Sequence, residues 1–210
     1  ASAADFTIRQ WIISASAGSH GSINPSGSVG VDNGANQSFA IAADTDYHIA
    51  DVLVDGSSVG TVSAYTFSNV TANHSIAASF SIDQNVITAS AGAHGSITPS
   101  GSVSVNYGAD QAFAITPATG YHVDSLLVDG SSVGVASAYT FSNVTAAHTI
   151  AVSFAIDQFT ISASAGSHGS IAPNGSTTVN YGGSQAYAMT PDTGYHVADV
   201  LVDASSVGAV

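Results

Sequence analysis

The stretch "ISASAGSHGSI" runs from Ile13 to Ile23, and it returns as "ITASAGAHGSI" from Ile87 and as "ISASAGSHGSI" from Ile161. Both intervals are 74 residues, from 13 to 87 and from 87 to 161. Outward from this stretch, Tyr47-His48, Tyr121-His122 and Tyr195-His196 keep the same spacing, as do Leu53, Leu127 and Leu201. No insertion or deletion breaks the register. A fixed period of this kind is the signature of a tandem array, and each period is long enough to hold a small core of its own.

Within a period the signals are for strands. Ile150, Val152, Phe154 and Ile156 alternate with Ala151, Ser153 and Ala155, the period of two expected of a half-buried strand. Phe113-Ala114-Ile115 and Tyr139-Thr140-Phe141 alternate likewise. "VLVDGSSVG" at Val52–Gly60 carries the Asp-Gly pair of a tight hairpin, where glycine accepts positive φ. The third copy has Ala204 in the glycine position, so its turn is expected to be strained or of another type. "AGSHGS" and "NPSG" or "TPSG" mark two more turns. No stretch places apolar residues at helical spacing behind a cap. Each unit therefore reads as all-β with six or seven short strands.

The apolar phase changes at each unit boundary. Phe80 and Ile82 lie on even positions, whereas Ile87, Ala89 and Ala91 lie on odd ones, with Asp83-Gln84 between them and Asp157-Gln158 repeating the switch. The units are accordingly 11–84, 85–158 and an incomplete 159–210. Residues 1–10 read as the closing strand of a preceding unit, because Phe6, Ile8 and Gln10 take the places of Phe80, Ile82 and Gln84. The connections contain no flexible Gly/Ser linker, so neighbouring units are expected to be held closely.

Composition narrows the function classes. The chain has 210 residues, 45% apolar and only 7% charged, with a formal charge of −13 and Arg9 as its single Lys or Arg. Nucleic acid and anionic membranes are poor partners for such a surface, since phosphate contacts need Lys and Arg. No run of 18 apolar residues is present to span a bilayer. The absence of cysteine removes disulfides, thiolate nucleophiles and Cys-ligated zinc. A chain poor in targets for trypsin and oxidants suits an extracellular or cell-surface setting.

The motifs "GS(I)xPxG", "VNYG", "GYHV", "VLVDG" and "YTFxNVTxxHTI" together resemble the divergent internalin B-repeat family of bacterial surface proteins, and the likeness covers nearly the whole chain. The resemblance implies an extracellular module used in tandem as stalk or adhesive surface, with a compact β-rich fold of β-grasp-like or sandwich-like form. The first copy departs from it at "AADTDYH", where Asp46 stands in the place of Gly120 and Gly194.

Candidate chemistry is sparse. His20, His48, His94, His122, His168 and His196 are the weak metal candidates, since a metal site needs two or three such side chains converging, often with a carboxylate. A residue such as His20 in a turn needs no ligand to explain it, and structural or solvated histidines are the expectation, with no metal or cofactor. Asp44, Asp46, Asp51 and Asp55 cluster in the first unit, but Asp44 and Asp46 have no acidic counterparts in the second and no calcium-loop pattern occurs. Nothing resembles a nucleophile elbow, so an enzyme is not expected. The aromatic residues Tyr47, Tyr65 and Phe67 alternate with small ones as core residues do, and only secondarily suggest a sugar-binding face. Asn36, Asn69, Asn73, Asn143 and Asn174 begin sequons of the kind that a Ser/Thr-rich chain produces by chance.

The expected function is that of an extracellular structural β-repeat protein: a stalk or adhesin segment, or a filament subunit joined head to tail. In the filament reading the N-terminal strand of one subunit completes the third unit of the next, with Phe6, Ile8, Leu201 and Val207 at the contact. Against this stands the reading of the 210 residues as a window on a longer array. The runner-up function is a module that binds a glycan or a cell-surface partner.

Overall fold

The computed structural model describes residues 9–209. The first unit contains eight strands: β1 (Gln10–Ala17), β2 (Gly21–Asn24), β3 (Gly27–Asp32), β4 (Gln37–Ala43), β5 (Tyr47–Val54), β6 (Ser57–Ser58), β7 (Ala64–Phe67) and β8 (His74–Ile82). The second repeats them as β9 (Gln84–Ala91), β10 (Gly95–Thr98), β11 (Gly101–Asn106), β12 (Gln111–Pro117), β13 (Tyr121–Val128), β14 (Ser131–Gly134), β15 (Ala138–Phe141) and β16 (His148–Ile156). The third has β17 (Gln158–Ala163), β18 (Gly169–Ala172), β19 (Gly175–Asn180), β20 (Ala188–Pro191), β21 (Val200–Val202) and β22 (Ser205–Gly208). The fold is all-β and its sheets recur about 74 residues apart. Eight strands per full unit exceed the expected six or seven, because β2 and the two-residue β6 are too short to show alternation.

In the first unit a five-stranded sheet has the order β3-β1-β8-β5-β6 and a three-stranded sheet the order β2-β4-β7; the second unit repeats both as β11-β9-β16-β13-β14 and β10-β12-β15. Two sheets face each other, as in the sandwich-like form, and the larger has the mixed order of the β-grasp-like form, with β1 and β8 parallel at its middle and antiparallel neighbours on either side. Ile13, Val52 and Ile76 from the larger sheet meet Ile23, Phe39 and Phe67 from the smaller in one buried cluster. The alternation read from the sequence is the burial pattern observed: Phe39 and Ile41, then Phe113 and Ile115, face inward and are at most 4% exposed.

The last strand in sequence is the central one in space. β8 lies parallel to β1, with Ile13 opposite His74 and Ala17 opposite Ala78, and antiparallel to β5, with Tyr47 opposite Ile82. The hairpin after β5 turns at Asp55 (φ 50°) and Gly56 (φ 80°), the double left-handed geometry that Asp-Gly favours. Its third copy keeps that turn, with Asp203 at φ 49° and Ala204 at φ 64°, so the substitution strains the turn without changing its type.

By contacts the described chain divides into two compact bodies. One runs to Val86 and includes Ser104–Gln111 and Phe141–Ala147; the other holds Ile87–Val103, Ala112–Thr140 and the residues from His148 onward.

Candidate functional site

The unit boundary is a single residue. Asp83 separates the end of β8 at Ile82 from the start of β9 at Gln84, which is where the apolar phase switches. Its three polar groups are all engaged within the first body. The Asp83 N–H donates to the Asp46 carbonyl at 2.8 Å, its carbonyl accepts from the Tyr107 N–H at 2.8 Å, and its carboxylate lies 2.8 Å from His48 Nδ1. Asp157 repeats the arrangement in the second body. Its N–H donates to the Gly120 carbonyl and its carbonyl accepts from the Tyr181 N–H, both at 2.8 Å, and its carboxylate is 2.7 Å from His122 Nδ1. Arg9 occupies the corresponding place before β1, and its carbonyl accepts from the Asn33 N–H at 2.8 Å. Lacking a carboxylate, it instead lays its guanidinium 4.0 Å from the centre of the Trp11 ring.

The β5–β8 register explains the histidine clasp. Tyr47 opposes Ile82 and His48 opposes Ser81, so the residue just past β8 falls within reach of the His48 ring. His48 and Asp83 are 56% and 48% exposed, so the pair orients side chains more than it adds stability. At the second junction Tyr181 also lies over Gly120, whose missing Cβ leaves room for the ring. At the first junction the corresponding position is Asp46, also at positive φ (67°).

The remaining histidines are tied to the fold. His20, His94 and His168 stack on Tyr47, Tyr121 and Tyr195, with ring centres 4.1, 4.2 and 4.1 Å apart. Each of the three sits at positive φ, between 65° and 70°. The stacking gives these turn histidines a packing role that the sequence did not disclose, and it covers one face of each tyrosine. His74 Nδ1 bonds Asp55 and His148 Nδ1 bonds Asp129, both at 2.7 Å. The His74 bond, then the Ser75 N–H, holds the Asp55 carboxyl below its usual value; at Asp129 the Thr149 N–H leads and His148 follows. His196 lies along a cleft in the third unit.

A histidine oriented by a carboxylate is the base half of a catalytic triad. Ser58 donates to the Asp51 carboxylate and Ser79 to the Asp51 carbonyl. Two of the first-unit acids are bound by protein groups, Asp51 by Ser58 and the Val52 N–H, and Asp55 by His74 and Ser75. Among the described residues no group of three His, Cys, Asp or Glu comes together as a metal site.

The third unit differs from the other two. Ile161 is 39% exposed where Ile13 and Ile87 are 0%, and Leu201, Val202 and Val207 are 64, 54 and 55% exposed. Ile161, Ile171, Tyr187, Met189, Val200 and Leu201 line a cleft of about 830 Å³. Of the expected subunit contacts, Leu201 and Val207 are thus exposed, and Phe6 and Ile8 lie outside the described residues.

Residues 85–158 match the family model of the divergent InlB B-repeat domain. The matched segment is one 74-residue period. No enzyme family is found. No curated protein matches the chain.

Proposed function

We propose that the chain works as an extracellular spacer, a stalk or adhesin segment of a bacterial surface protein that carries other parts away from the cell by repeating a β unit. The observation that carries this reading is the junction. One residue, Asp83 or Asp157, joins the closing strand of a unit to the opening strand of the next, and both of its backbone groups and its carboxylate are bonded. A chain built for catalysis would concentrate its polar groups in one place. Here the same three bonds recur at each boundary and serve connection.

The experiment is an in-frame deletion of residues 85–158 in the surface-displayed protein, which joins Gln84 to Phe159 and preserves the register. Reach from the cell surface, read by distance-dependent fluorescence quenching, is expected to fall by roughly 30 Å, the diameter of a compact 74-residue unit. Unchanged reach, or loss of a glycan-binding signal in place of reach, would refute the spacer reading.

A further inference from the structure

We propose that Asn174-Gly175 is a site of spontaneous covalent modification, where attack by the Gly175 backbone nitrogen converts the Asn174 carboxamide to a carboxylate. This goes beyond the spacer reading and does not depend on it.

Asn-Gly occurs twice in the chain, at Asn33-Gly34 and at Asn174-Gly175. The dipeptide is chemically distinctive, because glycine brings no side chain to hinder a five-membered ring closing between its nitrogen and the preceding carboxamide. Both asparagines are exposed, so exposure does not separate them. Their bonding does. The Gly34 N–H, which would be the nucleophile, donates to the Val70 carbonyl at 2.8 Å. The Asn33 Oδ1 accepts from the Trp11 indole N–H at 2.9 Å. Attack there requires the nucleophile to leave Val70, and the carboxamide is pinned at Trp11. Among the described residues the Asn174 carboxamide has no hydrogen-bond partner. Gly175 is the terminal pair of the β17–β19 ladder, opposite Ala163 and at φ 85°. Ladder ends open at the least cost.

The exposure belongs to the turn. Ser26-Gly27 and Ser100-Gly101 hold the same place in the first two units and are exposed as well, with Gly27 at φ 80° and Gly101 at φ 77°. Serine has no side-chain carbonyl to attack, so of the three equivalent turns only the third can react. The same ring closure is open to Asp-Gly, but the two Asp-Gly turns are restrained. The Asp55 carboxylate is held by His74 and the Ser75 N–H, and that of Asp129 by His148 and the Thr149 N–H.

The step balances without oxidation or reduction. The Gly175 nitrogen gives its proton to solvent and bonds Asn174 Cγ. The Cγ–Nδ2 bond breaks, and ammonia departs with a proton taken back from water, leaving a cyclic imide. Water then opens the ring. Opening at Cγ leaves the ordinary backbone with an aspartyl side chain. Opening at the main-chain carbonyl leaves an isoaspartyl link, in which the chain runs through Cγ and is one carbon longer. Each product consumes water, releases ammonia and adds a negative charge to a chain already at −13. The isoaspartyl product also lengthens the turn between β18 and β19.

The test ages the full 210-residue chain in mildly alkaline buffer and follows both sites in one sample, by mass spectrometry of chymotryptic peptides. Conversion at Asn174 is expected to run about tenfold or more ahead of Asn33. It should slow in mildly acidic buffer, where the nitrogen keeps its proton, and should yield both products, the isoaspartyl one detected by isoaspartyl-directed methyl transfer. Asn174→Ser copies the turn of the other units and should abolish the more acidic species that ageing produces. In denaturant the two sites should convert alike, since the protection of Asn33 belongs to the folded first unit. Equal rates in the folded chain, or an Asn174 that stays intact, overturn the proposal. So does a difference between the sites that persists in the unfolded chain, which would assign it to neighbouring sequence and not to structure.

Discussion

Gly95→Ala is the most direct probe of how a unit closes. Gly95 opens β10 and faces the Phe154 ring of β16, and an added Cβ would overlap ring atoms Cε1, Cε2 and Cζ. Two responses are open to the protein. Moving the strands apart is over-packing, at about 1–3 kcal/mol. Swinging out the half-buried ring forfeits roughly half of the 1.5–3 kcal/mol that full burial of a Phe is worth, about 1–1.5 kcal/mol, and is the cheaper route. Against it stands a gain of about 0.5–1 kcal/mol, because alanine in a strand loses less conformational freedom than glycine. The net effect in the native background is a destabilisation of about 0.5 kcal/mol. In a Phe154→Ala background the clash is gone and only the gain remains, so the same substitution should stabilise by about 0.5–1 kcal/mol. The reversal of sign is the signature. Hydrogen exchange of the β10 and β16 amides is the suitable assay, since a chain of several units need not unfold in one step. Equal effects of Gly95→Ala in the two backgrounds would refute the ring-on-glycine account of closure.

Three further outcomes follow from named contacts. Ala204→Gly should stabilise the β21–β22 hairpin by about 1 kcal/mol, since Ala204 is held at φ 64°, and amide exchange in Ser205–Gly208 should slow accordingly. Asp55 and Asp129 have carboxyls lowered from 3.8 by bonds present only in the folded unit, so their stabilisation is complete above that value and lost as pH falls through the lowered one. Asp55→Asn and Asp129→Asn should therefore reduce the steepness of acid unfolding below pH 3.8, read by circular dichroism; unchanged acid limbs would sink the assignment. Joint replacement of His20, His94 and His168 by Ala removes three exposed stacks and should cost about 0.5 kcal/mol or less at each site, with a melting temperature lowered by only a few degrees. A collapse of the fold in that triple variant would show the stacks to be structural keystones.

Much of this architecture is legible in the chain itself. The period locates equivalent residues, the alternation at Phe113–Ile115 and Ile150–Ile156 marks the inward faces, and the phase switch at Asp83 marks the boundary. Asp55-Gly56 discloses its turn because two successive left-handed residues leave few choices of side chain. What escapes is long-range. Gly21 and Gly95 read as turn glycines, and nothing local shows that a ring from a strand 59 positions later sits on them (21 to 80, 95 to 154). The His48–Asp83 clasp depends on the β5–β8 register, which no single unit reveals. The repeat holds a weak signal for it, since His48 and Asp83 return together as His122 and Asp157. The left-handed backbone of His20 was hidden because glycine neighbours on both sides of the turn offered themselves for that role.

The order of the strands explains why one segment matters so much. In each full unit the central strand of the five-stranded sheet is the last to appear in sequence, and it supplies Ile76 or Ile150, each with no exposed surface. Its pairing with β1 or β9 joins residues some 60 positions apart, Ile13 with His74 and Ile87 with His148. Contacts of that separation are slow to form, because loop closure must precede any gain from pairing. The first seven strands can therefore assemble two partial sheets, but the core stays open until the eighth enters.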